Sequence, residues 1–107
     1  MKIRLTNPTY SYLENGLSNL TCEIQIYDDA SDTVIWSKSY SVTFNLGNTS
    51  SLESAKEKIK QEALATWNRF KWCAEQVNNL FGTTDFNEAV NNMLSSLETD
   101  INNEIGA

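Results

Sequence analysis

The feature that most constrains this chain of 107 residues is a long run of apolar side chains at helical spacing between Ser50 and Phe81. At about 100° per residue most of them fall in one narrow stripe, as in a helix packed on a core. The stripe consists of Leu52, Ile59, Ala63, Phe70, Ala74, Val77 and Phe81, flanked by Ala55, Trp67 and Cys73. Ser50 with Glu53 matches the capping box that opens a helix, and Gly82 suits its end. The pattern predicts a single helix over residues 50–81.

The first part of the chain predicts a strand and a tight turn. Ile3 and Leu5 share one parity and Tyr10 and Tyr12 the other, so a bulge at Asn7-Pro8 must shift the register by one. Asn15-Gly16 supplies two residues that tolerate positive φ, which is the strongest short-range signal for a hairpin.

Two further strands are predicted from a period of two. Residues 19–27 place Leu20, Cys22, Ile24 and Ile26 on one face. After the Asp-rich turn at residues 28–32, a third strand places Val34, Trp36, Tyr40, Val42 and Phe44 on one face and mostly hydroxyl side chains on the other. Lys38, at a core parity, is either an edge gatekeeper or a side chain that snorkels out of the core. One face of the predicted sheet, the wet face, is therefore polar and can contact solvent. The opposite, apolar face, the dry face, must be packed against another element of the chain.

A second helix is predicted to start at Asp85, with Glu88 completing its cap. Its apolar stripe is Phe86, Val90, Met93, Leu94, Leu97 and Ile101. The element order β-β-β-α-α predicts an α+β fold, a three-stranded antiparallel meander with two helices packed on one face. We expect a single domain over 1–107, with the sheet in 1–45 and the helices in 50–105.

The sequence offers little from which a catalytic or metal site could be built. It contains no His, which removes the commonest general base and the commonest metal ligand. Cys22 and Cys73 fall on predicted inward faces and read as buried thiols; a disulfide between them is possible but not expected in a reducing cytosol. The Asp28–Asp32 cluster lacks calcium-loop spacing and reads as turn chemistry. We predict no catalytic residue, no metal, no cofactor and no enzymatic activity.

Charge limits the classes of partner. The net charge is −6, and residues 83–107 hold five acidic side chains and no basic one. Such a chain is repelled by nucleic-acid phosphate and anionic lipid. No segment approaches the ~20 apolar residues of a membrane span, and none follows Met1 as a signal peptide would. We expect no direct nucleic-acid or membrane binding, and an intracellular chain at synthesis.

Three residues of the long helix lie away from its apolar stripe and are the candidate protein-interaction surface. At about 100° per residue, Leu64 lies about 120°, Trp72 about 200° and Ala65 about 220° from the core direction. Either the helix is wedged between the sheet and the second helix, which would bury these side chains, or the face is exposed and binds another chain. Trp is enriched at the centres of such contacts.

The first quarter of the chain resembles a known group of proteins, and this resemblance implies a biological setting. Leu5-Thr6-Asn7-Pro8-Thr9-Tyr10, with Leu20-Thr21-Cys22-Glu23-Ile24 after the hairpin, resembles the start of small proteins encoded among the structural genes of tailed phages. The resemblance covers about the first quarter of the chain. It implies a protein made in the host cytoplasm, and a possible virion component, rather than a mechanism.

Two functional hypotheses follow from these observations. The first is a non-enzymatic phage structural or assembly protein that forms homo-oligomers or binds other phage structural proteins. The second is an inhibitor of a host defence protein that binds nucleic acid, similar to an anti-CRISPR protein. Its acidic ridge would imitate phosphates and would consist of Asp85, Glu88, Glu98, Asp100 and Glu104.

Overall fold

A computed structural model describes residues 1–106 and contains three strands and two long helices. The elements are β1 (Lys2–Tyr12), β2 (Leu17–Asp28), β3 (Thr33–Asn45), α1 (Thr49–Phe81) and α2 (Phe86–Ile105), with a short 3-10 turn at Glu14–Gly16. The sheet is antiparallel in the order β1-β2-β3. The predicted α+β fold, three antiparallel strands followed by two helices, is confirmed.

The predicted bulge in β1 is present. Thr6 pairs with Glu23 and Thr9 with Thr21, so Asn7 and Pro8 together oppose one residue of β2. Asn7 adopts a φ of 51° there. The extra residue restores a common face along β1, because Leu5 then lies opposite Ile24 and Tyr10 opposite Leu20. The turn that follows has positive φ at Asn15 (63°) and Gly16 (78°), as the hairpin signal predicts.

A second bulge, in β3, was not predicted. Ile26 pairs with Trp36 but the next residue, Tyr27, pairs with Val34, so Ile35 has no partner of its own. The bulge moves Val34 to the face of Tyr27, away from Trp36. The prediction that Val34 shares the dry face is wrong for this reason, and its side chain is 40% exposed.

The predicted start of α1 is also wrong. The helix begins at Thr49, and the side chain of Asn48 caps it by accepting a hydrogen bond from the Ser51 backbone N–H at 2.9 Å. Ser50 with Glu53 therefore does not form the capping box. The predicted end is confirmed, because α1 stops at Phe81 and Gly82 follows with a φ of 71°.

The described chain divides into two compact units, the first of which ends at Arg69. Its core lies between the sheet and α1. Ile24 and Ile26 of the central strand are fully buried. Val42 and Phe44 of β3 form a buried cluster with Ala55 of α1. Leu20, Tyr40, Leu52 and Ile59 pack against that cluster. The helix thus covers the dry face of β2 and β3.

The second unit starts at Phe70 and contains the rest of α1 and α2. Phe70 is buried, and its ring forms a T-shaped pair with that of Phe86 at a centroid distance of 5.7 Å. Ala89 is buried in the first turn of α2. The predicted Asp85 cap of α2 is confirmed, since its carboxylate accepts from the backbone N–H groups of Asn87 and Glu88 at 2.9 and 3.2 Å. Glu88 does not complete the cap, because the Asp85 N–H donates to the Thr83 hydroxyl at 3.1 Å instead.

Candidate interaction surfaces

A groove of about 570 Å³ runs between β1 and α1 in the first unit. Its walls are aliphatic, with Ile3 and Leu5 from β1 and Ile59, Ala63 and Leu64 from α1. The groove exists because α1 covers β2 and β3 and leaves β1 bare. Leu5, which points to the dry face, is consequently 54% exposed.

The groove continues along β1. Leu5 and Ile59 also line a neighbouring hollow of about 190 Å³, together with Pro8, Leu20 and Cys22. Beyond it, Tyr10 is half exposed, and its hydroxyl lies 2.6 Å from that of Ser18. The uncovered apolar surface therefore follows the strand past its bulge.

Basic side chains stand at the margin of the groove. Lys56 and Lys60 of α1 line it, and Arg4 of β1 also borders it, although the Arg4 side chain bonds Gln25 on the opposite face of the sheet. The Arg4 guanidinium is already engaged, because it lies 4.4 Å from the centre of the Tyr27 ring and donates to Asp32 at 2.7 Å. The Lys56 ammonium lies 3.1 Å from the carboxylate of Glu53, three residues earlier in α1. Among residues 1–106, Lys60 has no ion-pair partner. The margin can therefore accept an anionic group.

The other flank of α1 is held to the sheet by charge. Lys38 points to the dry face of β3 and its ammonium donates to the Glu62 carboxylate, so it is an ion-pair donor between sheet and helix. Arg69 approaches the same carboxylate at 3.4 Å. The hydrogen bond from Lys38 is the largest cause that holds the pKa of Glu62 below its usual value.

The wet face carries a hydrogen-bonded network that links β1 to β2. Arg4 donates to the Gln25 side-chain oxygen at 2.8 Å, and Gln25 in turn donates to Glu23 at 2.9 Å. Asn7, from the β1 bulge, donates to the other oxygen of Glu23 at 2.8 Å. These bonds, first that from Gln25 and then that from Asn7, lower the pKa of Glu23. The network fixes β1 to its neighbour from the face opposite the groove.

The three predicted interaction residues differ in exposure and in the hollows that they line. Leu64 is 47% exposed and lines the groove towards β1. Ala65 lies on the other flank of α1, where it lines a shallow hollow with Tyr40 and Glu62. Trp72, in the second unit, is 61% exposed. Of the three, Leu64 and Trp72 therefore present large apolar surfaces to solvent.

One exposed apolar surface was missed at the sequence level. The predicted stripe of α2 was expected to pack inward, yet only its first residue, Phe86, is half-buried, and the other five range in exposure from 43% at Met93 to 56% at Ile101. Ile105, which extends the stripe, is 71% exposed. We call the exposed residues the α2 stripe; they are Val90, Met93, Leu94, Leu97, Ile101 and Ile105. The sequence signal was present as helical periodicity, but periodicity does not say whether a stripe has a partner in its own chain.

The acidic residues of α2 differ in their local roles. Asp85 caps the helix, and Glu88 accepts a hydrogen bond from Thr83 at 3.2 Å. At about 100° per residue, Asp100 falls along one margin of the α2 stripe and Glu98 along the other, while Glu104 lies within the stripe near its C-terminal end. The hypothesis of a single acidic ridge stays a prediction, and this placement gives it no particular support.

Other chemistry gives no further candidate. Within residues 1–106, no group of three metal-ligating side chains lies where a metal ion could be held. Cys22 and Cys73 are free thiols, the first buried and the second half-buried, and burial raises the pKa of Cys22. Neither of the described helices combines the length and apolarity needed to cross a bilayer.

Comparisons with protein-family models, with curated proteins and with solved structures find no match. The resemblance to phage proteins stays a prediction, and the two exposed apolar surfaces, the groove and the α2 stripe, are the features on which a function has to be argued.

Proposed function

We propose that this protein is a non-enzymatic structural or assembly protein that works through contacts with other polypeptides and associates with copies of itself. The observation that carries the proposal is the exposed α2 stripe. From Val90 to Ile105 it runs for about 22 Å along the helix at ~1.5 Å per residue. Monomeric soluble proteins rarely leave a continuous apolar surface of this kind bare, and such surfaces mark sites of association.

The composition of α2 supports a protein partner over other partners. The acids along the stripe disfavour both phosphate backbones and anionic lipid surfaces. An amphipathic helix laid into an apolar groove is a recurrent mode of protein recognition, with contacts spaced three and four residues apart. The absence of His from the sequence supports the non-enzymatic part of the proposal.

The setting that we propose is the one that the resemblance implies. A phage structural or assembly protein is made in the host cytoplasm and exerts its effect as one of many copies, either alone or with other phage structural proteins. A protein in this role needs surfaces that bind other subunits and does not need a catalytic site. Closed symmetry is the usual outcome of such self-association.

The experiment is a measurement of mass against concentration by light scattering and sedimentation equilibrium. We expect the wild-type chain to be oligomeric. Leu97→Asp places a charge in the middle of the α2 stripe and should weaken association by at least about 100-fold, because a carboxylate would be buried without a partner. Ser96→Asp, on the polar side of the same helix, is the matched control and should associate like the wild type. A wild-type chain that stays monomeric at high concentration refutes the proposal.

A further inference from the structure

We infer that the α2 helix of one copy docks in the groove between β1 and α1 of another copy. The inference rests on the proposed self-association and assigns its two surfaces. The α2 stripe is the donor surface, and the groove is the acceptor surface. Both surfaces are apolar and exposed, and three properties of the groove match the helix: its width, its length and the charge at its margins.

The width follows from the sheet. Neighbouring strands lie about 4.8 Å apart, whereas a helix with its side chains is about 10 Å across. One helix therefore covers about two strands, which is what α1 does over β2 and β3. The dry face of β1 remains bare, with Leu5 54% and Tyr10 52% exposed. A second helix laid beside α1 would cover it.

The length agrees as well. β1 has 11 residues and spans about 36 Å at ~3.3 Å per residue. α2 has 20 residues and spans about 30 Å at ~1.5 Å per residue. The helix and the uncovered strand thus have similar lengths, so that the α2 stripe can stay in contact with the groove and its continuation past Pro8.

The charges are complementary. Lys56 and Lys60 stand at the margin of the groove, and Lys60 has no ion-pair partner among residues 1–106. The α2 stripe is bordered by Glu98 on one side and by Asp100 on the other, and Glu104 lies within it near its C-terminal end. Docking therefore brings acids to free or weakly paired cations. The alternative, α2 against α2, would bring together two segments that each carry only acids.

The test uses two variants that damage one surface each. Leu64→Asp disables the groove and leaves α2 intact, whereas Leu97→Asp disables α2 and leaves the groove intact. Leu64 and Leu97 are both about half exposed, so the separate chains should keep their folds, which circular dichroism and thermal melting check. Each variant alone should lose association by at least about 100-fold. A 1:1 mixture should form a heterodimer, visible by native mass spectrometry, because one intact helix then meets one intact groove.

The outcomes separate the two proposals. If the wild type is monomeric, the proposed function fails and the docking inference with it. If the wild type associates and Leu64→Asp associates equally well, the groove is not the acceptor, and the inference is overturned while the proposed function stands. If both variants are monomeric and their mixture also stays monomeric, the inference is overturned as well. A heterodimer in the mixture supports it.

A charge variant tests whether the lysine at the groove margin contributes to association. Lys60→Glu should weaken association several-fold and make it less sensitive to salt, because a favourable screened pair becomes a repulsive one. Lys58→Glu changes the net charge equally but lies on the flank of α1 that faces the hollow beside Tyr40. Equal effects of the two variants would show that net charge, and not the groove, controls association, and would overturn the charge match.

Discussion

Replacement of Ile24 by Ala should cost about 3 kcal/mol of the free energy of unfolding. Ile24 is fully buried in the middle of the central strand, between Leu5 and Lys38 on its neighbours. The substitution removes the equivalent of about three methylene groups, or about 2.4 kcal/mol at ~0.8 kcal/mol each, to which the cavity adds. The cavity contribution should be small because the half-exposed Leu5 can move towards the space. Since small domains are stable by only about 5–15 kcal/mol, the change is easily measured.

The assay is urea denaturation followed by far-UV circular dichroism at a concentration where the chain is monomeric. Val34→Ala is the control, because the β3 bulge turns Val34 to the wet face, where only strand propensity, up to about 1 kcal/mol, is at stake. The pattern of the sequence alone puts Val34 in the core and would give the two variants similar costs. A loss below about 1 kcal/mol for Ile24→Ala, or an equal loss for Val34→Ala, refutes the assigned core.

Three further predictions concern local interactions. Because its ion pair with Lys38 lowers the folded-state pKa of Glu62, the pair's contribution is present above the unfolded-state pKa of about 4.5 and is lost as pH falls through the lower folded value. Glu62→Gln should therefore flatten the acid side of the stability curve measured by urea midpoints, and an unchanged curve contradicts the pair. Asp85→Ala removes the cap of α2 and should cost about 1 kcal/mol, seen as lost helix signal on mild heating, and an unchanged signal contradicts the cap. Gly82→Ala should cost about 1 kcal/mol although no atom lies within 4 Å of the added Cβ, because φ is +71°, and an unchanged melting temperature contradicts this reasoning.

The parts of the fold that could be predicted are those where the residue type favours a single local backbone conformation. Pro8 has no N–H to give to the ladder, and the parity of the apolar residues changes across it, so the β1 bulge was visible in the sequence. Gly82 after a long apolar stripe fixed the end of α1 for a similar reason, since a left-handed residue is cheapest as Gly. The cap at Asp85 likewise follows from a carboxylate placed before a helical stripe.

The parts that could not be predicted depend on competition between similar residues. Asn48 and Ser50 are both good caps, and the sequence favoured Ser50 because Glu53 completes its box, yet the helix starts at Thr49. In β3 nothing in Val34, Ile35 or Trp36 marks an extra residue, because all three are strong strand formers. Their register is decided by pairing with β2.

The candidate site was only partly visible for the same kind of reason. Leu64 could be singled out because it lies away from the core stripe of α1, and it does line the groove. The bare face of β1 could not be inferred, because a dry strand face reads the same whether a helix covers it or not. The α2 stripe was recognised as apolar but expected to pack inward, since helical spacing records amphipathicity and not occupancy.

The docking of α2 into a neighbour's groove also determines what kind of assembly can form. Donor and acceptor are different surfaces, and every copy carries one of each, so the contact is heterologous unless two copies exchange their helices reciprocally. An open chain would always leave one bare groove and one bare stripe at its ends, both apolar and both able to recruit another copy. Only a reciprocal dimer or a closed ring buries all of them. We therefore expect this chain of 107 residues to form an oligomer of one discrete mass, and the value of that mass distinguishes the exchanged dimer from the ring.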